Sequence, residues 1–234
     1  TINGLQWSPD GQWLSYLVVP KADEVQTTWS DFVNDSGVVI PRTGRAKVGT
    51  PPVRSRAALV AADPLIEPDS AKIIWVSDDT TAFAKPVRAI RLSWSPQGAH
   101  LVAEFASMDY RDRWIVLVDP ATGKHLRTLH HEHDDAWLLE SSGIQWLPDG
   151  QRFAILSEAS GWQHLVLVDL EGGVQALTSG AWEVRDADLS RDGTTWWLQT
   201  TEAPPSELHL YTKPAHGGPS TRVDQHGEGE DAAI

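Results

Sequence analysis

The sequence predicts an all-β chain forming part of a β-propeller, about four four-stranded antiparallel blades of a larger ring. Three observations carry this. A Trp-Ser-Pro-Asp-Gly-like turn recurs along the chain. Its last spacings are 52 and 43 residues, close to the 40–50-residue period of a propeller blade. Twelve tryptophans stand beside only seven Phe and Tyr, the large flat side chains that fill gaps between packed sheets.

The first copy of the repeat runs from Leu5 to Tyr16 around Trp7, Ser8, Pro9, Asp10 and Gly11. The second runs from Leu92 to Ala103 around Trp94 and Gly98, and the third from Ile144 to Ile155 around Trp146, Asp149 and Gly150. A weaker fourth copy, Ala187 to Leu198, keeps Ser190, Asp192 and Gly193. Pro-Asp-Gly between apolar runs is a hairpin signal, because Pro presets φ, Asp bonds its own backbone and Gly takes positive φ. Turn chemistry accounts for Asp10, Asp149 and Asp192. Trp7, Trp94 and Trp146 are expected to be buried at equivalent positions.

Each unit carries a second landmark, an apolar run ending near a polar turn: Ala57–Ala62, Trp114–Val118, Leu165–Val168 and Leu208–Tyr211. In the first unit this landmark arrives about 32 residues late, so an insertion is expected between Val19 and Ser55, as an extended hairpin or long loop. The expected units are about 1–85 with insert 20–54, 86–136, 137–181 and 182–230. Asp231–Ile234 resembles the lead-in to a further turn, which favours half of a large ring over a closed small one.

Composition narrows the functional classes. With 32 acidic against 19 basic residues the net charge is −13, which repels phosphate backbones and anionic lipid, so nucleic acid and membrane are excluded as partners. Cysteine is absent, excluding disulfides, thiolate metal sites and a cysteine nucleophile. No cofactor is implied, and no metal site or catalytic residue is assigned. His130-His131-Glu132-His133-Asp134-Asp135 is the one metal-like run. His131 and His133 would share a face of a strand, but the run lacks His-Glu-x-x-His spacing, and a solvated interblade connection is the plainer reading.

One stretch goes beyond a generic blade. Ser157-Glu158, then Gly161-Trp162-Gln163-His164-Leu165, is followed by Leu177-Thr178-Ser179-Gly180-Ala181-Trp182-Glu183-Val184. This resembles the propeller of the dipeptidyl peptidase IV branch of the prolyl oligopeptidase family, with its Ser-Glu-x-x-Gly-Trp-x-His-Leu and Leu-Thr-x-Gly-x-Trp-Glu-Val runs. Pro41-Arg42-Thr43-Gly44 and Gly49–Arg54 resemble, with drift, a further segment of that family.

The resemblance implies an eight-bladed propeller joined to a C-terminal α/β-hydrolase domain, in a serine exopeptidase that removes N-terminal dipeptides. The propeller would limit access and help bind the substrate amine. No Gly-x-Ser-x-Gly elbow occurs in these 234 residues, so the catalytic domain is expected outside this chain, and the chain alone is expected to be inactive. The family's glutamate pair would lie upstream of Ile2. Glu158, Trp162, His164, Trp182 and Glu183 would shape blade corners. Trp137 and Glu140, on the loop entering the third unit, are the candidate substrate-binding residues, although no arginine follows between Trp137 and Gly150 as the family's loop can provide. A periplasmic or extracellular setting is favoured for the parent. Self-association of the chain through its terminal units is also expected. The alternative from another class is a non-enzymatic TolB-like propeller that binds protein or peptide.

Overall fold

The computed structural model describes residues 1–21, 25–30, 39–44, 53–62, 71–78, 83–138, 143–202 and 206–224. They form four four-stranded antiparallel sheets and one two-stranded sheet. The first sheet contains β1 (Ile2–Trp7), β2 (Trp13–Val18), β5 (Arg56–Ala61) and β6 (Ile73–Trp75), in that order. Between β2 and β5 the chain makes β3 (Val25–Ser30) and β4 (Val39–Gly44), which pair only with each other. The second sheet is β7 (Val87–Trp94), β8 (Leu101–Ser107), β9 (Asp112–Val118) and β10 (His125–His133). The third is β11 (Gln145–Trp146), β12 (Arg152–Ser157), β13 (His164–Asp169) and β14 (Val174–Ala176). The fourth is β15 (Val184–Leu189), β16 (Thr195–Thr200), β17 (His209–Pro214) and β18 (Thr221–Arg222). Its third strand continues to Pro214, past the expected end at Tyr211. Asp231–Ile234 lies outside the described residues.

The recurring turn joins the first two strands of each blade, and local chemistry explains it. Gly11, Gly98, Gly150 and Gly193 have φ between 64° and 76°, the left-handed region that glycine enters without a Cβ clash. Asp10 Oδ1 accepts from Gln12 N–H, Asp149 Oδ1 from Gln151 N–H, and Asp192 Oδ1 from Thr194 N–H. The turn serine closes the hairpin mouth: Trp13, His100 and Thr195 N–H groups donate to Ser8, Ser95 and Ser190 Oγ.

The cores lie between blades. One joins Ala57, Leu59 and Val76 of the first blade to Trp94, Leu101, Ala103 and Phe105 of the second. The next joins Val102, Ile115 and Leu129 to Phe153, Ile155 and Val168. The third joins Ala154, Leu156 and Leu167 to Val184, Trp196 and Leu198. Along β8, odd positions from Leu101 to Phe105 face back and Val102 faces forward; β12 behaves likewise. The central strands β12 and β13 therefore read as nearly continuous apolar runs, because both faces are buried, whereas β16 alternates buried and exposed positions.

In the second and third blades the tryptophan before the turn reaches the preceding blade. Trp94 Nε1–H donates to Ser15 Oγ at 3.0 Å, and Trp146 Nε1–H donates to Ser93 Oγ at 3.0 Å. Trp94 is 4% exposed, and Trp146 is partly buried. Trp7 corrects the expectation of common burial. It holds the same register, opposite Leu14 as Trp94 is opposite Leu101, yet it is 59% exposed. Among the described residues no second sheet packs on that face.

A buried ion pair of the second blade also reaches the third through a hydrogen bond. Arg113 on β9 pairs with Glu132 on β10 and donates through Nη2 to Leu156 O at 2.8 Å. His130 Nε2 lies 3.0 Å from Glu132 Oε1. Burial pushes the Glu132 carboxyl up, but the His130 hydrogen bond, the Arg113 charge and Ser157 outweigh it and hold it down at about 2, against an ordinary 4.5. A depressed folded value means the ionised carboxylate contributes stability above about pH 4.5 that is lost as pH falls toward about 2. Glu132→Gln should therefore flatten the acid limb of a stability–pH profile over that window. At neutral pH it should cost about 3–5 kcal/mol, because Arg113 stays buried without its carboxylate. Urea unfolding measured across pH checks this; parallel acid limbs in the two proteins would contradict it.

Candidate functional site

The two loops that meet at one end of the second blade are the β8–β9 hairpin and the segment leaving β10. In the hairpin, Tyr110 N–H donates to Ser107 O at 3.1 Å, and Ser107 Oγ accepts from Arg111 and Asp112 N–H. After β10, Asp134 N–H donates to Arg111 O, and Asp134 Oδ1 accepts from the N–H groups of Ala136 and Trp137. Leu138 N–H then donates to Tyr110 O at 2.8 Å, tying the loops together. This turn presents Trp137 to solvent, 68% exposed. Glu140 lies outside the described residues.

The hairpin also brings Tyr110 into the site, a residue the sequence reading did not single out. The residue is 47% exposed, and the Arg88 guanidinium carbon sits 4.7 Å from the ring centroid. Its backbone has φ of +62°, uncommon for a residue with a side chain.

The histidine run divides between two environments. His130 and Glu132 point inward to Arg113, whereas His131 and His133 point outward. His131 Nε2 and His133 Nδ1 lie 3.0 and 2.9 Å from the same oxygen, Asp112 Oδ1, while Lys85 binds Asp112 Oδ2. Burial disfavours the charged Asp112 carboxylate, but hydrogen bonds from Lys85, His131 and His133 outweigh this and hold its pKa below the ordinary value. Asp112, followed by Asp135, raises that of His133. This is an ion cluster anchoring the strand end beneath Trp137. Among the described residues no group of three His, Asp or Glu is arranged to hold a metal ion.

The residues of the Gly161-Trp162 and Trp182-Glu183 runs build a corner of the third blade. His164 is buried, with Nε2 3.0 Å from Gly180 O and Nδ1 3.0 Å from Thr178 Oγ1. Thr178 Oγ1 already accepts from Leu165 N–H, so its own proton goes to His164 Nδ1 and the imidazole carries its hydrogen on Nε2. Trp182 meets the imidazole edge-on at 5.0 Å. Glu183 bonds through its backbone N–H to Thr201 Oγ1 and pairs with Arg185 at 2.8 Å. Trp162 stands at the surface. A cavity of about 450 Å³ opens beside this corner, lined among others by His130, Ser157, His164, Val166 and Ala176. Both imidazoles on its wall are engaged in the hydrogen bonds above, so neither is set up as a free base.

Comparison with known proteins agrees with this architecture. Residues 1–234 match the family described as the dipeptidyl peptidase IV (DPP IV) N-terminal region. The chain is 25% identical over 189 residues to a probable dipeptidyl peptidase 4 of Trichophyton verrucosum (strain HKI 0517), covering 77% of this chain and 24% of that protein. It is 28% identical over 187 residues to a dipeptidyl peptidase 4 of Arthroderma otae, with the same coverage of 77% and 24%. The chain thus spans about a quarter of the length of these curated relatives. Its fold is that of a putative dipeptidyl aminopeptidase IV from Bacteroides ovatus ATCC 8483, with a TM-score of 0.69 at 18% identity over 93% of this chain and 32% of the other. The structure of Porphyromonas gingivalis dipeptidyl peptidase 4 gives a TM-score of 0.70 at 18% identity, covering 93% and 30%. Four stacked antiparallel blades and a family match over the whole length lead to one conclusion: the chain belongs to the dipeptidyl peptidase IV N-terminal region family.

Proposed function

We propose that this chain is the propeller portion of a dipeptidyl peptidase IV-like serine exopeptidase, in which it borders the path of peptide substrates. The family match over residues 1–234 is the observation that carries the reading. Hydrolysis belongs to an α/β-hydrolase domain elsewhere in the parent, because these residues contain no nucleophile elbow and so no activated serine or oxyanion hole. The chain's own part is access and binding. A blade end supplies rigid loops for that task, and Trp137 is the exposed aromatic such a loop offers to a peptide.

The parent reading frame separates this from a TolB-like binding module: a Gly-x-Ser-x-Gly segment after the propeller supports the peptidase. In the full-length parent, Trp137→Ala should raise KM for an Ala-Pro-p-nitroanilide substrate about three- to tenfold with little change in kcat, the pattern of lost binding rather than lost chemistry. An unchanged KM would remove Trp137 from the substrate path. Turnover by the purified 234-residue chain would overturn the division of labour.

The first blade supports the expected self-association. Ile2, Leu5 and Trp7 leave β1 with an exposed apolar face, and burial of about 25 cal/mol per Å² opposes the repulsion of a −13 net charge. Sedimentation at ~100 μM in ~0.15 M salt, where screening limits repulsion to about 8 Å, should show a dimer or larger species. A clean monomer would sink this expectation.

A further inference from the structure

Hairpins of the second and third blades each contain a tight turn closed by a left-handed residue, tyrosine in one and glycine in the other. In the second blade the turn spans Ser107, Met108, Asp109 and Tyr110, closed by Tyr110 N–H donating to Ser107 O at 3.1 Å. In the third it spans Glu158, Ala159, Ser160 and Gly161, closed by Gly161 N–H donating to Glu158 O at 2.9 Å. Both closing residues are left-handed, at φ of +62° and +87°. The third blade meets that demand with glycine, which suffers no Cβ clash there. The second blade places a tyrosine in the same conformation.

The fold draws little from that tyrosine's side chain. The residue is 47% exposed, so it contributes modest burial. The hydrogen bonds that tie it into the hairpin and to Leu138 are main-chain bonds, available to any residue at this position. The neighbouring side-chain bonds come from Ser107 and Asp109, which cap the turn without it. Backbone strain that local packing does not require concentrates at binding and catalytic sites. The strained tyrosine also stands beside the loop that presents Trp137, joined to it by the Leu138–Tyr110 bond.

We propose that Tyr110 is a second peptide-contacting aromatic of the Trp137 site, holding a proline or other apolar side chain of an extended peptide against its ring. The Arg88 guanidinium lies over one face of the ring, and the peptide would take the other. The assignment rests on the reading of Trp137 as a peptide contact.

The test uses the 234-residue chain and the tetrapeptide Ala-Pro-Ala-Phe, titrated by ¹H–¹⁵N NMR, with urea midpoints recorded for every variant. Tyr110→Asn accepts left-handed φ without adding glycine's chain freedom. It should keep a urea midpoint at or above wild type while weakening peptide binding at least about fivefold, as loss of an aromatic contact does. Tyr110→Phe, which keeps the ring, should stay within about threefold of wild type. A lowered midpoint for Tyr110→Asn would show that the side chain serves the fold, and wild-type affinity would show that it serves no ligand; either overturns the proposal. Trp137→Ala separates the two readings. Weakened binding in Trp137→Ala with full affinity in Tyr110→Asn overturns the Tyr110 assignment alone. Full affinity in both, or no binding by the wild type, overturns the Trp137 reading with it.

Discussion

No blade of this chain can bury its own faces, so contact with the next blade is the constraint on which the rest depends. That contact has a repeated form. The residue before the turn tryptophan, or its cross-strand partner, supplies a side chain that the following blade grips at the same level. Ser15, opposite Gln6, receives the Trp94 indole; Ser93 receives the Trp146 indole. Gln145 takes the third place, accepting from Leu189 N–H at 3.0 Å and donating to Ala187 O. Each bond is modest alone, about 1 kcal/mol net. Its value lies in register, because it aligns apolar faces whose combined burial stabilises the stack.

The turn glycines serve the same contact. A Cβ built on Gly98 would lie 3.0 Å from Asp10 N, and one on Gly193 would lie 2.2 Å from Pro148 Cγ. Adjacent turns approach too closely for a side chain, whereas a Cβ on Gly11 would meet nothing within 4 Å. Rigid stacking leaves the opposite blade end free to vary. That end carries the β3–β4 insertion, the Tyr110 hairpin and the Trp137 loop, anchored from below by the Asp112–His131–His133–Lys85 cluster and the Arg113–Glu132 pair. On the proposed reading, peptide binding sits on loops held by a scaffold that cannot follow them.

What could be seen in the sequence follows the range of each interaction. The Asp and Gly turn positions were legible because their chemistry closes within a few residues. The pairing of His131 with His133 on one face was legible from strand alternation, but their shared partner Asp112 lies 19 and 21 residues away and sends no local signal. Trp7 shows the opposite failure. Its motif is intact, and its exposure depends on a neighbouring blade, which no short-range pattern encodes. The proposed site was half visible: Trp137 stood out on a loop, whereas Tyr110 did not, because tyrosine is not a residue that advertises a left-handed backbone. Gly161 did advertise the left-handed turn in the next blade's hairpin.

A double-mutant cycle across one blade contact tests the central claim most directly. Trp146→Phe removes the indole donor and keeps an aromatic ring, and Ser93→Ala removes its acceptor. Their urea-unfolding free energies, singly and together, isolate the pair from the surrounding burial. If the blades are registered by this bond, the two substitutions should couple by about 1 kcal/mol, the double mutant losing less than both singles combined. Additive losses would show that the indole and the hydroxyl act independently, and would contradict a stack held in register through the tryptophan.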